Sequence, residues 1–244
     1  MTVLMIGASM LLLFMAVPVF LVFGAGSAGA AILDLNLPWS TLIQVSYAAI
    51  TKPVLIAIPL FIFSGLAMLR GGIASRLVSM ATALVGHWPG GLAISMVLTM
   101  GFFAAFCGSI LAAITAVGTI MMPKMIEEGY PAPFVIVLAA SAALLEALIP
   151  PSNAAIVFSA LTSVPVSKTF AAGILPGLVL MVLLMALAVW RCRHIRMNQK
   201  ASRAEIIAAV KAAIPGMFTP VIILGGIYGG LLTPSETAAV AGVW

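Results

Sequence analysis

Leu145-Glu146-Ala147-Leu148-Ile149-Pro150-Pro151-Ser152-Asn153 interrupts a run that is otherwise apolar from Phe134 to Val164. Two consecutive prolines cannot both sit inside an unbroken helix, because each lacks a backbone donor and each ring crowds the carbonyl four residues back. In a chain this apolar the freed carbonyls lie at membrane depth, where lipid offers them no partner. Such a break persists only if it is buried in protein or lines a wet cavity. Glu146 comes one turn before the break and Ser152-Asn153 follow it directly, so the freed backbone has the makings of an ion or substrate site.

The flanking composition sets the class. Of 244 residues, 64% are hydrophobic and 7% charged, and the mean hydropathy is +1.27; soluble domains carry roughly 25% charge. Charge-free windows cover 1–33, 35–51, 53–69, 77–123, 129–145, 147–167, 169–190 and 212–235. About 20 apolar residues cross a bilayer core as a helix, so several of these windows are long enough. The composition predicts an all-α polytopic membrane protein, because a soluble core of this kind would leave no residues for a surface.

The net charge of +5 is no nucleic-acid signal, since the positive residues fall in short segments between apolar runs. Arg191, Arg193, Arg196, Lys200, Arg203 and Lys211 cluster in one loop, opposed only by Glu205. Under the positive-inside rule this loop is cytoplasmic. Cys107 lies in an apolar run and Cys192 in the basic loop, so no disulfide is expected, and neither spacing nor the two histidines form a metal-ligand pattern. No nucleophile–base pair, Gly-rich phosphate loop or histidine cluster is present, so the chain is not read as an enzyme.

In chain order, 3–33 reads as a retained first span kinked at Pro18, since no basic residue precedes it as a signal peptide would require. A polar turn from Asp34 to Pro38 follows, then a span over 42–69. Residues 73–85 carry Ile73, Leu77, Met80, Ala81 and Leu84 at helical steps and read as an interfacial amphipathic helix. His87 sits against Trp88-Pro89-Gly90-Gly91 and reads as an interface residue. From 89 to 123 two readings compete: a re-entrant hairpin with its tip at Gly108-Ser109, or one long tilted helix packed through small residues. A straight helix over the uncharged stretch would be roughly 48 Å long, beyond the roughly 30 Å core, so length favours the hairpin. The broken span covers 131–164, a further span 169–190, the basic loop 191–211, another span 213–232, and 233–244 begins a last helix. With the basic loop inside and the hairpin returning to its own side, all basic residues but Lys52 and Lys168 are cytoplasmic, as is the N-terminus.

Several stretches then resemble a known family. Ile58-Pro59-Leu60-Phe61-Ile62-Phe63-Ser64-Gly65, Gly90-Gly91-Leu92, Gly108-Ser109 with Gly118, Gly129-Tyr130, Ile149-Pro150-Pro151-Ser152, Ala172-Gly173-Ile174-Leu175-Pro176-Gly177 and Thr233-Pro234-Ser235-Glu236-Thr237-Ala238-Ala239 are similar, in this order, to the large membrane subunit of tripartite ATP-independent periplasmic (TRAP) transporters. No single stretch is specific; their collinear order over nearly the whole chain is. The resemblance implies the N-terminal part of an inverted-repeat, elevator-type importer in the bacterial inner membrane. It implies sodium coupling, an organic-acid substrate of the C4-dicarboxylate kind, a small membrane subunit and a periplasmic substrate-binding protein as partners, and no cofactor other than Na+. Sodium is then expected at Gly108, Ser109, Pro150, Pro151, Ser152 and Asn153, and substrate at Ser109, Ser152, Asn153 and Glu146. The residues alone leave Ser152 and Asn153 open to a second role, capping the helix after the break. A channel-like or non-transporting scaffold subunit is the alternative reading of the whole.

Three departures stand out. The family's tip usually reads Ser-Gly-Ser-Ser, whereas here it is Cys107-Gly108-Ser109-Ile110. Glu146 stands where the family commonly has glycine, and it reads either as a contributor to a cation site or as a group that replaces sodium coupling by proton coupling. The family subunit is also far longer, so the stop at Trp244 reads as a truncation that omits a second hairpin and a second broken helix.

Overall fold

The computed structural model describes residues 2–33, 37–195 and 200–243; Asp34 of the expected polar turn, Arg196 of the basic loop and Trp244 lie outside them. Every regular element among the described residues is helical, and the chain divides into two units, Met1–Lys52 and Pro53–Trp244.

The first unit holds α1 (Thr2–Phe14), α2 (Val19–Leu33) and α3 (Trp39–Ile50). The expected single span 3–33 is therefore two helices. Ala16 takes a left-handed φ of 57° and Pro18 has no amide to donate, which stops the first helix and restarts the second one turn later. The expected span 42–69 is also divided, between α3 and α4 (Pro53–Arg70). Lys52 precedes a proline and is pushed away from helical geometry, and Pro53–Ile56 form a tighter first turn of α4.

The second unit continues with α5 (Ile73–Val85), α6 (Gly91–Cys107), α7 (Ile110–Glu127), α8 (Ala132–Leu148), α9 (Asn153–Thr162), α10 (Val166–Cys192), α11 (Arg203–Tyr228) and α12 (Pro234–Val243). Four described helices are long and apolar enough to cross a membrane, or five if α8 and α9 count as one bent span. They are α4, α7, α10 and α11.

Helix α6 is the axis of this unit. It is apolar on all sides, the signature of a helix buried on all sides, and Leu92, Met96, Val97, Met100 and Phe103 are fully buried. Around it stand α4, α5, α8, α10 and α11. Its two buried hydroxyls stay within the helix: Ser95 donates to the Gly91 carbonyl and Thr99 to that of Ser95, each at 2.7 Å. After α6 the chain reverses at Gly108 and returns as α7, which contains one wide turn over Ile114–Gly118. Tyr130, just beyond α7, brings its buried phenol oxygen to the Leu92 and Ala93 amides in the first turn of α6. The chain from 91 to 130 thus ends beside where it began. Burial pushes the Tyr130 phenol up to about 12, so it stays neutral while it faces these amides.

The outer helices carry the apolar surface. Helix α10 is about 40 Å long and leaves Leu175, Val179, Val182 and Leu183 exposed, as a lipid-facing helix does. It runs on to Cys192, and α11 begins already at Arg203, so the connection expected over 191–211 is shorter. The early start comes from a capping box that the basic cluster masks in the sequence: Ser202 Oγ accepts from the Glu205 amide at 3.2 Å, and Glu205 Oε2 accepts from the Ser202 amide at 2.6 Å. The Thr233–Glu236 signature does the same for α12, with Thr233 N–H donating to Glu236 Oε2 at 2.7 Å. Helix α12 then packs along α4.

Candidate functional site

Helix α8 stops at Leu148, Ile149 and Ser152 are extended, and α9 leaves at 41°. The Pro150–Pro151 peptide is cis. Pro151 has no amide for the Ala147 carbonyl four residues back, and the Ser152 hydroxyl supplies the missing donor at 2.8 Å. The same oxygen accepts from the Ala155 amide at 3.3 Å and so caps α9. Ser152 therefore closes both sides of the break, and one of its two lone pairs stays free.

The tip of the α6–α7 hairpin is seated on this break. Gly108 adopts φ 59°, and a Cβ there would run into the Pro151 carbonyl; glycine satisfies both the left-handed turn and the close approach. The Gly108 carbonyl accepts from the Asn153 amide at a long 3.5 Å. Ser109 is half-buried, and its amide donates to Glu146 Oε2 at 3.0 Å. All seven residues singled out in the sequence, Glu146, Gly108, Ser109, Pro150, Pro151, Ser152 and Asn153, thus converge on one junction.

The chemistry left over at that junction is anionic and oxygen-rich. Glu146 is 0% exposed. Its Oε1 and the Asn153 Oδ1 are buried without a hydrogen-bond partner. The carboxylate is surrounded by apolar interior and by the Ser109 and Gly108 amides, and among the described residues no cationic side chain shapes its environment. Two unpartnered buried oxygens and a spare hydroxyl lone pair, next to unwound backbone, match what an alkali cation needs. Among the described residues no cluster of three His, Cys, Asp or Glu side chains is present, so a softer transition metal has no ligand set here.

Helix α10 supports the break from behind, a role the sequence reading did not assign. A Cβ at Gly173 would collide with the Leu148 carbonyl, and one at Gly177 would lie 2.8 Å from the Ile149 side chain. The signal was present in the small residues of Ala172–Gly177, which let backbones approach closely. Cys107 ends α6 against Gly65 of α4, where no larger side chain fits. Two clefts lie away from the tip. One of about 380 Å³ runs past Ser159, Ser163, Val164 and Pro234. The other, about 260 Å³, is lined by Ser64, Met68, Ile73, Thr219 and Gly242, and the buried Ser64 and Thr219 hydroxyl oxygens there have no partner.

Residues 6–244 match the family model described as "Tripartite ATP-independent periplasmic transporter, DctM component". The chain is 44% identical over 192 residues to the C4-dicarboxylate TRAP transporter large permease protein DctM of Pseudomonas aeruginosa, covering 78% of this chain and 45% of that protein. It is 40% identical over 201 residues to the ectoine/5-hydroxyectoine TRAP transporter large permease protein UehC of Ruegeria pomeroyi, covering 82% of this chain and 47% of that one. It is 34% identical over 234 residues to the isethionate TRAP transporter permease protein DctMQ of Oleidesulfovibrio alaskensis, covering 95% and 37% respectively. The chain spans about half the length of the curated relatives it matches, or less.

Proposed function

Since the chain belongs to the DctM-component family of tripartite ATP-independent periplasmic transporters, we propose that it belongs to a large permease subunit importing an organic acid. The observation that carries the proposal is the seating of Gly108 and Ser109 on the Pro150–Pro151 break, with buried oxygens left unpartnered around it. Broken helices of transporters commonly hold coupling ions with unwound carbonyls and substrate with helix ends, and this junction has both kinds of group. Ser109 and Asn153 are the polar groups that can offer donors to the acid, while Ser152, whose proton is given to Ala147, offers its oxygen to a sodium site together with the backbone of Gly108, Pro150 and Pro151.

Elevator movement, with sodium and acid carried together on the seated tip, is the mechanism we assign. The protein works in the bacterial inner membrane with its N-terminus cytoplasmic, α5 at the interface, a small membrane subunit beside it and a periplasmic binding protein delivering substrate. A C4-dicarboxylate is the first substrate to test, because relatives named for that class match the chain at 44% and 41% identity.

Uptake into proteoliposomes tests this reading. The permease polypeptide is reconstituted with its small subunit and supplied with loaded binding protein under an inward sodium gradient. Accumulation of labelled acid above the external concentration, lost when choline replaces sodium, is expected. Flux that only equilibrates would instead fit a channel or scaffold.

A further inference from the structure

We infer that Glu146 is a direct ligand of the coupling cation rather than part of the organic-acid site, so that the cation site of this chain carries its own negative charge. The inference rests on the sodium reading above and deepens it.

The geometry separates the two roles of the carboxylate. Oε2 is taken by the Ser109 amide at 3.0 Å, which fixes the orientation of the group against the hairpin tip. Oε1 is then left buried and without a partner, close to a turn whose next residue, Ile110, has no side-chain oxygen to offer. Asn153 Oδ1 is the other unpartnered buried oxygen of the junction, and it belongs to the residue whose amide meets the Gly108 carbonyl. A hard cation takes oxygen ligands of these types, carboxylate and amide carbonyl.

Charge decides against the acid. An organic-acid substrate is itself an anion, and a like charge a few ångströms away in a poorly screened interior is strongly unfavourable. Among the described residues, no cationic side chain stands by Glu146 to offset a pair of carboxylates. A bound cation does the opposite: it relieves a buried charge that otherwise lacks compensation, and it draws α8 and the α6–α7 turn together through one residue.

The test reads cation binding without transport. The full chain is purified in detergent and its thermal unfolding followed in rising sodium chloride, with choline chloride holding ionic strength constant. A ligand that binds only the folded state raises the midpoint by mass action, logarithmically once its concentration exceeds the dissociation constant, so the sodium dissociation constant follows from where the rise sets in. Glu146→Gln keeps an acceptor for the Ser109 amide but removes the charge, and Glu146→Gly removes the side chain altogether. Either folded variant is expected to need at least ~10-fold more sodium, whereas Glu146→Asp keeps a response closer to the native one. A sodium dissociation constant within about twofold of the native chain's in a folded Gln or Gly variant would overturn the inference while leaving the sodium site standing. A native chain that responds no more to sodium than to choline would overturn both.

Discussion

The Ser109 amide donates to Oε2 of Glu146 at 3.0 Å across 37 positions of sequence. This hydrogen bond joins the hairpin tip to the last turn before the double proline. It makes two backbone irregularities, each costly in a membrane by itself, into a single structure. The turn at Gly108 and the break at Pro150–Pro151 supply each other's partners.

Gly108→Ala is expected to unseat the tip. A left-handed conformation costs a Cβ-bearing residue roughly 1–2 kcal/mol, and the added methyl would also meet the Pro151 carbonyl. Uptake should fall by at least ~10-fold and the unfolding midpoint in detergent should drop. Full uptake in the variant would show that the contact with Pro151 does not matter.

Ser152→Ala should act on stability first. It removes the donor to the Ala147 carbonyl and the acceptor for the Ala155 amide, a loss of about 1–3 kcal/mol for an unsatisfied buried group. Ser152→Thr keeps the hydroxyl and is expected to restore most of it. A lowered sodium affinity with an unchanged unfolding midpoint would instead make Ser152 chiefly an ion ligand.

Tyr130→Phe deletes the phenol oxygen that faces the first-turn amides of α6. The helix start is then left less satisfied, and a loss of about 1 kcal/mol is expected. Hydrogen exchange at Leu92 and Ala93 is the sharper readout. Faster exchange there, with no change around 150–153, would confirm that Tyr130 closes the base of the hairpin and not its tip.

Ser64→Ala should be neutral or stabilising. The Ser64 hydroxyl is fully buried beside a cleft and has no hydrogen-bond partner, so its removal sacrifices no bond and relieves an unpaired polar group. Thermal unfolding of the variant, compared with native chain, measures this. A clear drop in midpoint would mean that the hydroxyl is satisfied in the membrane, with water in the cleft as its partner.

The amino-acid sequence by itself determined the class and the break, and favoured a hairpin over one long helix. Sparse charge leaves no surface for a soluble domain, two adjacent prolines leave no continuous helix, and the uncharged stretch ending at Pro123 is too long for one straight crossing. These are local properties, since each follows from residues near one another in the chain. It did not determine how the first 70 residues divide, because the effects of Pro18 and Pro53 depend on whether neighbouring packing bends a helix or ends it. Nor did it locate the start of α11, where the Ser202–Glu205 box was hidden among basic residues. Only the tertiary structure decided which oxygens of the junction remain free. Ser152 turned out to be engaged with Ala147 and Ala155, while Glu146 kept one oxygen bound and one open. That outcome depends on the approach of Gly108 to Pro151 and of Gly173 to Leu148. Contacts of that kind join distant parts of the chain, and no spacing pattern within a single helix encodes them.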